Sequence, residues 1–160
     1  MEGSSQMIKK ERGFEIAKGY EDKDIHLPIR KTKYAAGYDV EAAEDVVIPP
    51  FQFGGRPTLI PTGLKAYCKT DEFYMLVNRS SGPKKGLVMA NSIGIIDADY
   101  YENETNDGHF YFQYYNFLDK EIIVKKKDVI GQVIFQKFLT VDDDHAEGIR
   151  KGGFGTTDQK

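Results

Sequence analysis

Two carboxylates, Asp97 and Asp99, stand one residue apart behind the apolar run Ile93-Gly-Ile-Ile96, and Tyr100 follows at once. Side chains alternate faces along a strand, so an extended reading points both acids one way and Ala98 and Tyr100 the other. An apolar strand that ends in acid can deliver a general base or a metal ligand to a pocket. A hairpin end with two solvated aspartates gives the same pattern.

Two further segments carry chemistry. Val77-Asn-Arg-Ser-Ser-Gly-Pro-Lys-Lys-Gly86 sets a cation and two hydroxyls before a glycine and two more cations. At a helix start its spare N–H groups would make an anion site; a surface turn would read the same. Near the end, Ile149-Arg-Lys-Gly-Gly-Phe-Gly-Thr-Thr157 surrounds one aromatic with glycines, cations and hydroxyls. It reads either as a disordered terminus or as a flexible arm. As an arm it has Arg150 and Lys151 for charge, glycine-freed N–H groups for phosphate and Phe154 for stacking on a flat ring.

The elements that must position these groups read as strands. Candidates are Asp45–Ile48, Thr58–Ile60, Leu64–Tyr67, Phe73–Val77, Gly94–Asp97, Phe110–Phe117, Ile122–Val124 and Gln132–Leu139. Turn formers such as Pro49-Pro50, Gly54-Gly55 and Pro61-Thr-Gly63 separate them. The single helix candidate is Pro83–Met89, with Ser81 as its cap. Short strands at this spacing predict an all-β sandwich or barrel. Phe110–Phe117 is aromatic on both faces, which a second subunit over one face would explain.

The chain has 160 residues, 40% of them apolar, enough for one domain with a core. Its 22 basic and 25 acidic residues give a formal −3, against a protein built to grip nucleic acid. No apolar run approaches the roughly 20 residues of a membrane helix. The lone Cys68 forms no internal disulfide, so a reducing, cytoplasmic setting is the simpler expectation. Residues 1–6 read as a leader or tag, 7–148 as the domain and 149–160 as the arm. His26, His109 and His145 lack metal-ligand spacing and read as surface or pocket-rim residues.

Together these pieces resemble the homotrimeric dUTP pyrophosphatases, in a bacterial or phage-like form. Five segments carry the resemblance: Ala36-Gly-Tyr-Asp-Val40, Arg79-Ser-Ser81, Asn91–Tyr100, a degenerate Asp128-Val-Ile-Gly-Gln132, and Gly152-Gly-Phe-Gly-Thr-Thr157. The sequence departs from the family pattern at Gly82-Pro83, at Lys127 and Val129, and in Glu102–Gly108, which reads as a hairpin insertion.

The resemblance implies a distorted, jelly-roll-like β-barrel, a homotrimer with shared sites, and Mg²⁺-assisted hydrolysis of dUTP to dUMP and pyrophosphate. It makes Asp97 the residue that activates water. It puts Asn91, Gly94, Ile96, Tyr100, Tyr111 and Phe154 around the nucleoside, with Tyr100 under the sugar and Tyr111 backbone on the uracil edge. Arg79, Ser80, Ser81, Gln132, Arg150, Lys151, Thr156 and Thr157 fall to the phosphates, and Asp39 to the metal through water. Asp99 is left with a structural or charge-network role. Two rival readings are a dCTP deaminase of the same fold and a nucleotide-gated regulatory binder.

Overall fold

The computed structural model describes residues 9–153. Eleven strands form in chain order: β1 (Gly13–Ile16), β2 (Tyr38–Glu41), β3 (Val46–Ile48), β4 (Thr58–Pro61), β5 (Leu64–Tyr67), β6 (Glu72–Val77), β7 (Leu87–Met89), β8 (Gly94–Asp97), β9 (Tyr111–Asn116), β10 (Ile122–Val124) and β11 (Val129–Lys137). All pairings between these strands are antiparallel. They build a four-stranded sheet in the order β2-β11-β6-β8, a three-stranded sheet β4-β9-β7, and the pairs β1-β5 and β10-β3. The all-β expectation holds. Among the described residues the only helical pieces are two 3₁₀ turns, Pro83–Lys85 and Ala98–Tyr100.

Strand alternation makes the core. On β9, Phe112, Tyr114 and Asn116 are buried while Tyr111, Gln113 and Tyr115 are half-buried. The strand therefore has one core face and one partly open face. Phe112 and Tyr114 pack with Ile60, Leu64, Tyr74, Leu76, Val40 and Val133. Gly131 lets β11 approach this core: a Cβ there would lie 2.2 Å from the Phe112 ring. A register shift between Val129 and Gly131 accompanies that approach, and the Tyr114 hydroxyl donates to the Ile130 carbonyl.

Three strands, β1, β2 and β7, are absent from the sequence-based expectation. On β2 a single residue, Val40, is fully buried, so Tyr38-Asp-Val-Glu41 shows almost no alternation. Its pairing with β11 holds it in place. The expected helix Pro83–Met89 is instead one 3₁₀ turn followed by β7. Gly82, not Ser81, starts that turn and no side chain caps it; left-handed Gly86 ends it, and β7 then pairs with β9. β11 starts three residues before the expected Gln132, because the Val129 end pairs with β2.

Candidate active site

The acid pair is not on one strand. β8 ends at Asp97, and Ala98–Tyr100 turns through a 3₁₀ step. Gly94 and Ile96 face the core, whereas Ile95 and Asp97 face out. Gly94 lets β8 sit close on β6, since a Cβ there would touch the Leu76 side chain at 3.0 Å. The turn keeps Asp99 on the surface and rolls Tyr100 inward, to 2% exposure. An exposed carboxylate thus stands three residues before a buried ring, beside a cleft of about 550 Å³ lined by Cys68, Thr70, Asp97, Asp99, Phe138 and Ala146. Burial pushes the Cys68 thiol up to about 11, so it stays protonated and unreactive at neutral pH.

Tyr100 is fixed by the segment the sequence marks as an insertion. Its hydroxyl donates to the His109 carbonyl at 2.5 Å and accepts from Asn106 Nδ2 at 2.7 Å. Burial pushes the phenol up to about 12, so it remains a donor. Asn103 Nδ2 donates to the Tyr100 carbonyl and to Asn106 Oδ1, at 2.7 and 2.8 Å. Gly108, at φ +86°, closes this loop where a Cβ would crowd Glu102 N at 2.8 Å. Lys65, buried on β5, anchors the loop from below through Glu102 at 2.7 Å and Asp107 at 3.0 Å. Burial works against its charge, but the two carboxylates outweigh that and hold the ammonium above its ordinary range.

His109 is buried, 5% exposed, and not a surface residue; it lines a hollow with Tyr20, Asn106 and Tyr111. Gly63 N–H donates to its Nε2 at 2.9 Å, which fixes that nitrogen as an acceptor. Burial pushes the imidazole down to about 4, so it is neutral. Its ring lies against Tyr111 (4.2 Å between centroids) and Tyr20 (4.7 Å). The residue that supports the Tyr111 strand is therefore a histidine whose role no local motif announces.

The expected phosphate groups gather elsewhere. Arg79, Ser80 and Ser81 lie in the turn after β6, closed by Gly82 N–H donating to the Arg79 carbonyl at 3.0 Å. Gln132 on β11 donates from Nε2 to the Asn78 carbonyl at 3.2 Å. Gly37 makes room for that side chain: a Cβ there would lie 2.0 Å from Gln132 Oε1. Asn78, which sequence reasoning missed, donates to the Leu87 carbonyl at 2.9 Å and ties the turn to β7. Its position directly before Arg79-Ser-Ser81 was the available signal. Asp39 on β2 is the register partner of Gln132 and pairs with Lys31 at 3.4 Å.

The sheet register sets these two groups apart. Asp97 is opposite Phe73 at one end of β6, while Gln132 is opposite Val77 at the other. Four residue steps separate Phe73 from Val77, about 13 Å along β6. Asn91 is exposed and lies beyond the Gly94 end of β8.

The chain's final described residues lie on the Asp97 end. Arg150 donates from Nη2 to Asp97 at 2.5 Å and from Nε to Asp99 at 2.6 Å. Thr105 Oγ1 donates to the Lys151 carbonyl at 2.5 Å. Gly153 lies so close to the Tyr100 ring that a Cβ would meet it at 2.6 Å. Phe154, Thr156 and Thr157 fall outside the described residues. Among the described residues no three His, Cys, Asp or Glu converge as a metal cage. No helix among them is long and apolar enough to cross a membrane.

The dUTPase family model matches residues 23–157. The deoxyuridine 5'-triphosphate nucleotidohydrolase of Lactococcus lactis is 46% identical over 149 residues, covering 91% of this chain and 97% of that protein. A crystal structure of dUTPase from Streptococcus mutans superposes with a TM-score of 0.75 at 42% identity, covering 81% of this chain and 98% of that one. A point mutant of the dUTPase from Staphylococcus aureus phage phi11, described with a structural Mg(II) ion, shares the fold at a TM-score of 0.67 and 18% identity, over 87% and 98% of the two chains. The chain belongs to the dUTPase family.

Proposed function

We propose that this chain hydrolyses dUTP to dUMP and pyrophosphate, with Asp97 activating the attacking water. The overall activity, dUTP diphosphatase, follows from family membership. The observation that supports the assignment within the site is the Asp97–Tyr100 step: an outward carboxylate at a strand end, one 3₁₀ turn before a buried ring. Asp97 accepts a proton from water as the water oxygen bonds to the α-phosphorus. The bond from that phosphorus to the bridging oxygen breaks, and pyrophosphate leaves with the electron pair. A carboxylate suffices at neutral pH because the proton is only partly transferred in the transition state.

Tyr100, locked by Asn106 and the His109 carbonyl, has no rotamer freedom left and can act as a flat floor under deoxyribose. A 2′-hydroxyl would collide with such a floor. The β9 backbone around Tyr111 pairs with the uracil edge, and cytosine would leave buried groups there unpaired, a strong discrimination. Asn91 joins the nucleoside pocket, and Gly94 and Ile96, which face the core, support it from behind. Arg79, Ser80, Ser81 and Gln132 bind phosphates, and Arg150 and Lys151 bring cations once nucleotide is bound. Asp39 would hold a magnesium ion through water, and the bound ion would supply charge compensation for the leaving pyrophosphate.

One chain does not hold all of these groups in one place, because about 13 Å of β6 lies between Asp97 and the Gln132 end. A trimer in which neighbouring chains supply the two ends resolves this. Incubation with dUTP and Mg²⁺, followed by product analysis, tests the reading. Equal amounts of dUMP and pyrophosphate are expected; ammonia released from dCTP, with dUTP untouched, would make the chain a deaminase instead.

A further inference from the structure

The side chain of Asn106 is divided between two tasks. Its Oδ1 accepts from Asn103 Nδ2 at 2.8 Å and from the Gly108 N–H at 3.1 Å, which closes the Glu102–Gly108 loop. Its Nδ2 donates to the Tyr100 hydroxyl at 2.7 Å. The two contacts at the oxygen fix which way the amide faces, so its nitrogen is aimed at the ring. Loop closure needs only the oxygen, and an aspartate would serve it equally. The donor is what Tyr100 requires, because its own proton goes to the His109 carbonyl at 2.5 Å. The hydroxyl is held from two sides, by the hairpin insertion and by the backbone that leads into β9.

We infer that Asn106 is a positioning residue for sugar selection: by holding the Tyr100 hydroxyl it stiffens the ring that must refuse a 2′-hydroxyl. The inference rests on the reading of Tyr100 as the floor under deoxyribose. An apolar surface alone is a weak filter against a substrate that merely adds a hydroxyl. Its discrimination is only as steep as its resistance to displacement. A ring free to swing about its Cα–Cβ bond would give way and admit the larger sugar. The hydroxyl oxygen is the side-chain atom farthest from the backbone, so a bond there resists that swing with the longest lever. His109 supplies the other half of the clamp. Its carbonyl takes the Tyr100 proton, while its ring centroid lies 4.2 Å from that of Tyr111, on the strand proposed to read the base. Sugar floor and base edge are therefore set from one residue. Lys65 keeps the loop itself from yielding, through Glu102 and Asp107. Asn106 and His109 belong to the same chain as Tyr100, so the clamp needs no neighbouring chain.

The test compares kcat/KM for dUTP and for UTP, which differ only at the 2′ position. Asn106→Ala removes the donor, and the loss of one hydrogen bond should lower the dUTP-to-UTP ratio roughly two- to ten-fold. The alanine also loosens the loop, so Tyr100→Phe is measured beside it. That variant removes the hydroxyl and leaves the contacts of Asn106 with Asn103 and Gly108 in place. It should lower the ratio by a similar factor, and adding Asn106→Ala to Tyr100→Phe should lower it no further. A loop that serves stability alone would weaken both substrates together and leave the ratio unchanged. That result, full selectivity in Tyr100→Phe, or a further fall in the double variant overturns the inference. Wild-type protein equally active on both nucleotides would instead overturn the reading of Tyr100 as the sugar floor, and wild-type protein active on neither would overturn the hydrolytic reading. Either outcome removes the filter that Asn106 stiffens.

Discussion

The Asp97 end and the Gln132 end of the four-stranded sheet are built differently. At the Asp97 end the supports are buried and polar: Tyr100, Asn103, His109 and Lys65 form a closed network under an exposed carboxylate. At the Gln132 end the supports are backbone: a turn closed at Arg79–Gly82, an Asn78 clamp, and a glutamine that fits because Gly37 has no side chain. The first end is shaped to hold one flat ring and one acid in fixed relation. The second presents donors and a cation on a turn held by backbone bonds, which suits a charged, many-oxygen group more than a shaped one. On the proposed reading, side-chain support goes to the nucleoside, where selectivity is decided, and a backbone-closed turn to the phosphates.

The sharpest way to break this contrast is Asp97→Asn. It keeps the shape of the Asp97 end and removes its base, so kcat should fall by about 10²–10⁴-fold with KM little changed. Near-normal pyrophosphate release would move the chemistry elsewhere.

The buried histidine comes next. Its folded value lies near 4, below the ordinary value near 6.5, so between these limits the unfolded chain binds more protons. Stability should therefore fall as pH drops from about 6.5 to 4, by up to about 3 kcal/mol, and be insensitive to this group above that window. His109→Gln keeps an acceptor for Gly63 N–H without the titration. Urea unfolding across that pH range should show the loss in wild type and a flatter profile in the variant.

Lys65→Met should destabilise the folded state by about 2 kcal/mol, because Asp107 and Glu102 lose their partner while remaining only partly solvated. Thermal or urea unfolding measures this, and a neutral result would make the insertion's anchor irrelevant. The smallest effect is expected in the core. The Tyr74 hydroxyl is buried with no hydrogen-bond partner among the described residues. Tyr74→Phe should stabilise by about 1 kcal/mol with kcat unchanged, in contrast to Tyr100→Phe, which orphans Asn106 and the His109 carbonyl and should destabilise by a similar amount.

Much of this architecture is legible in the sequence because it follows alternation. Leu64–Tyr67, Gly94–Asp97 and Ile122–Val124 have the same limits in sequence and structure, since each is a short run rich in apolar residues with polar or turn-forming neighbours. What is not legible depends on partners far away in the chain. β2 has one core residue and is a strand because β11 pairs with it. Asp97 and Asp99 read as one strand face, but the 3₁₀ turn that buries Tyr100 breaks the alternation after Asp97. His109 carries no local mark of burial; its partner Gly63 is 46 residues away. Glu102–Gly108 is visible as an insertion, while its work in fixing Tyr100 and meeting Lys65 emerges only in three dimensions.

On the proposed reading, Asp97 shares one site with the Arg79 turn and Gln132 only where two copies of the chain meet. Complementation tests it most directly. Asp97→Asn and Arg79→Ala proteins, each inactive alone, are unfolded together, refolded as a mixture and assayed with dUTP. If neighbouring chains supply the two ends, roughly a quarter of the sites in a random mixture regain both groups, and activity returns to about that fraction of wild type. A mixture as inactive as its components would place both groups in the same chain's site and rule out the shared site.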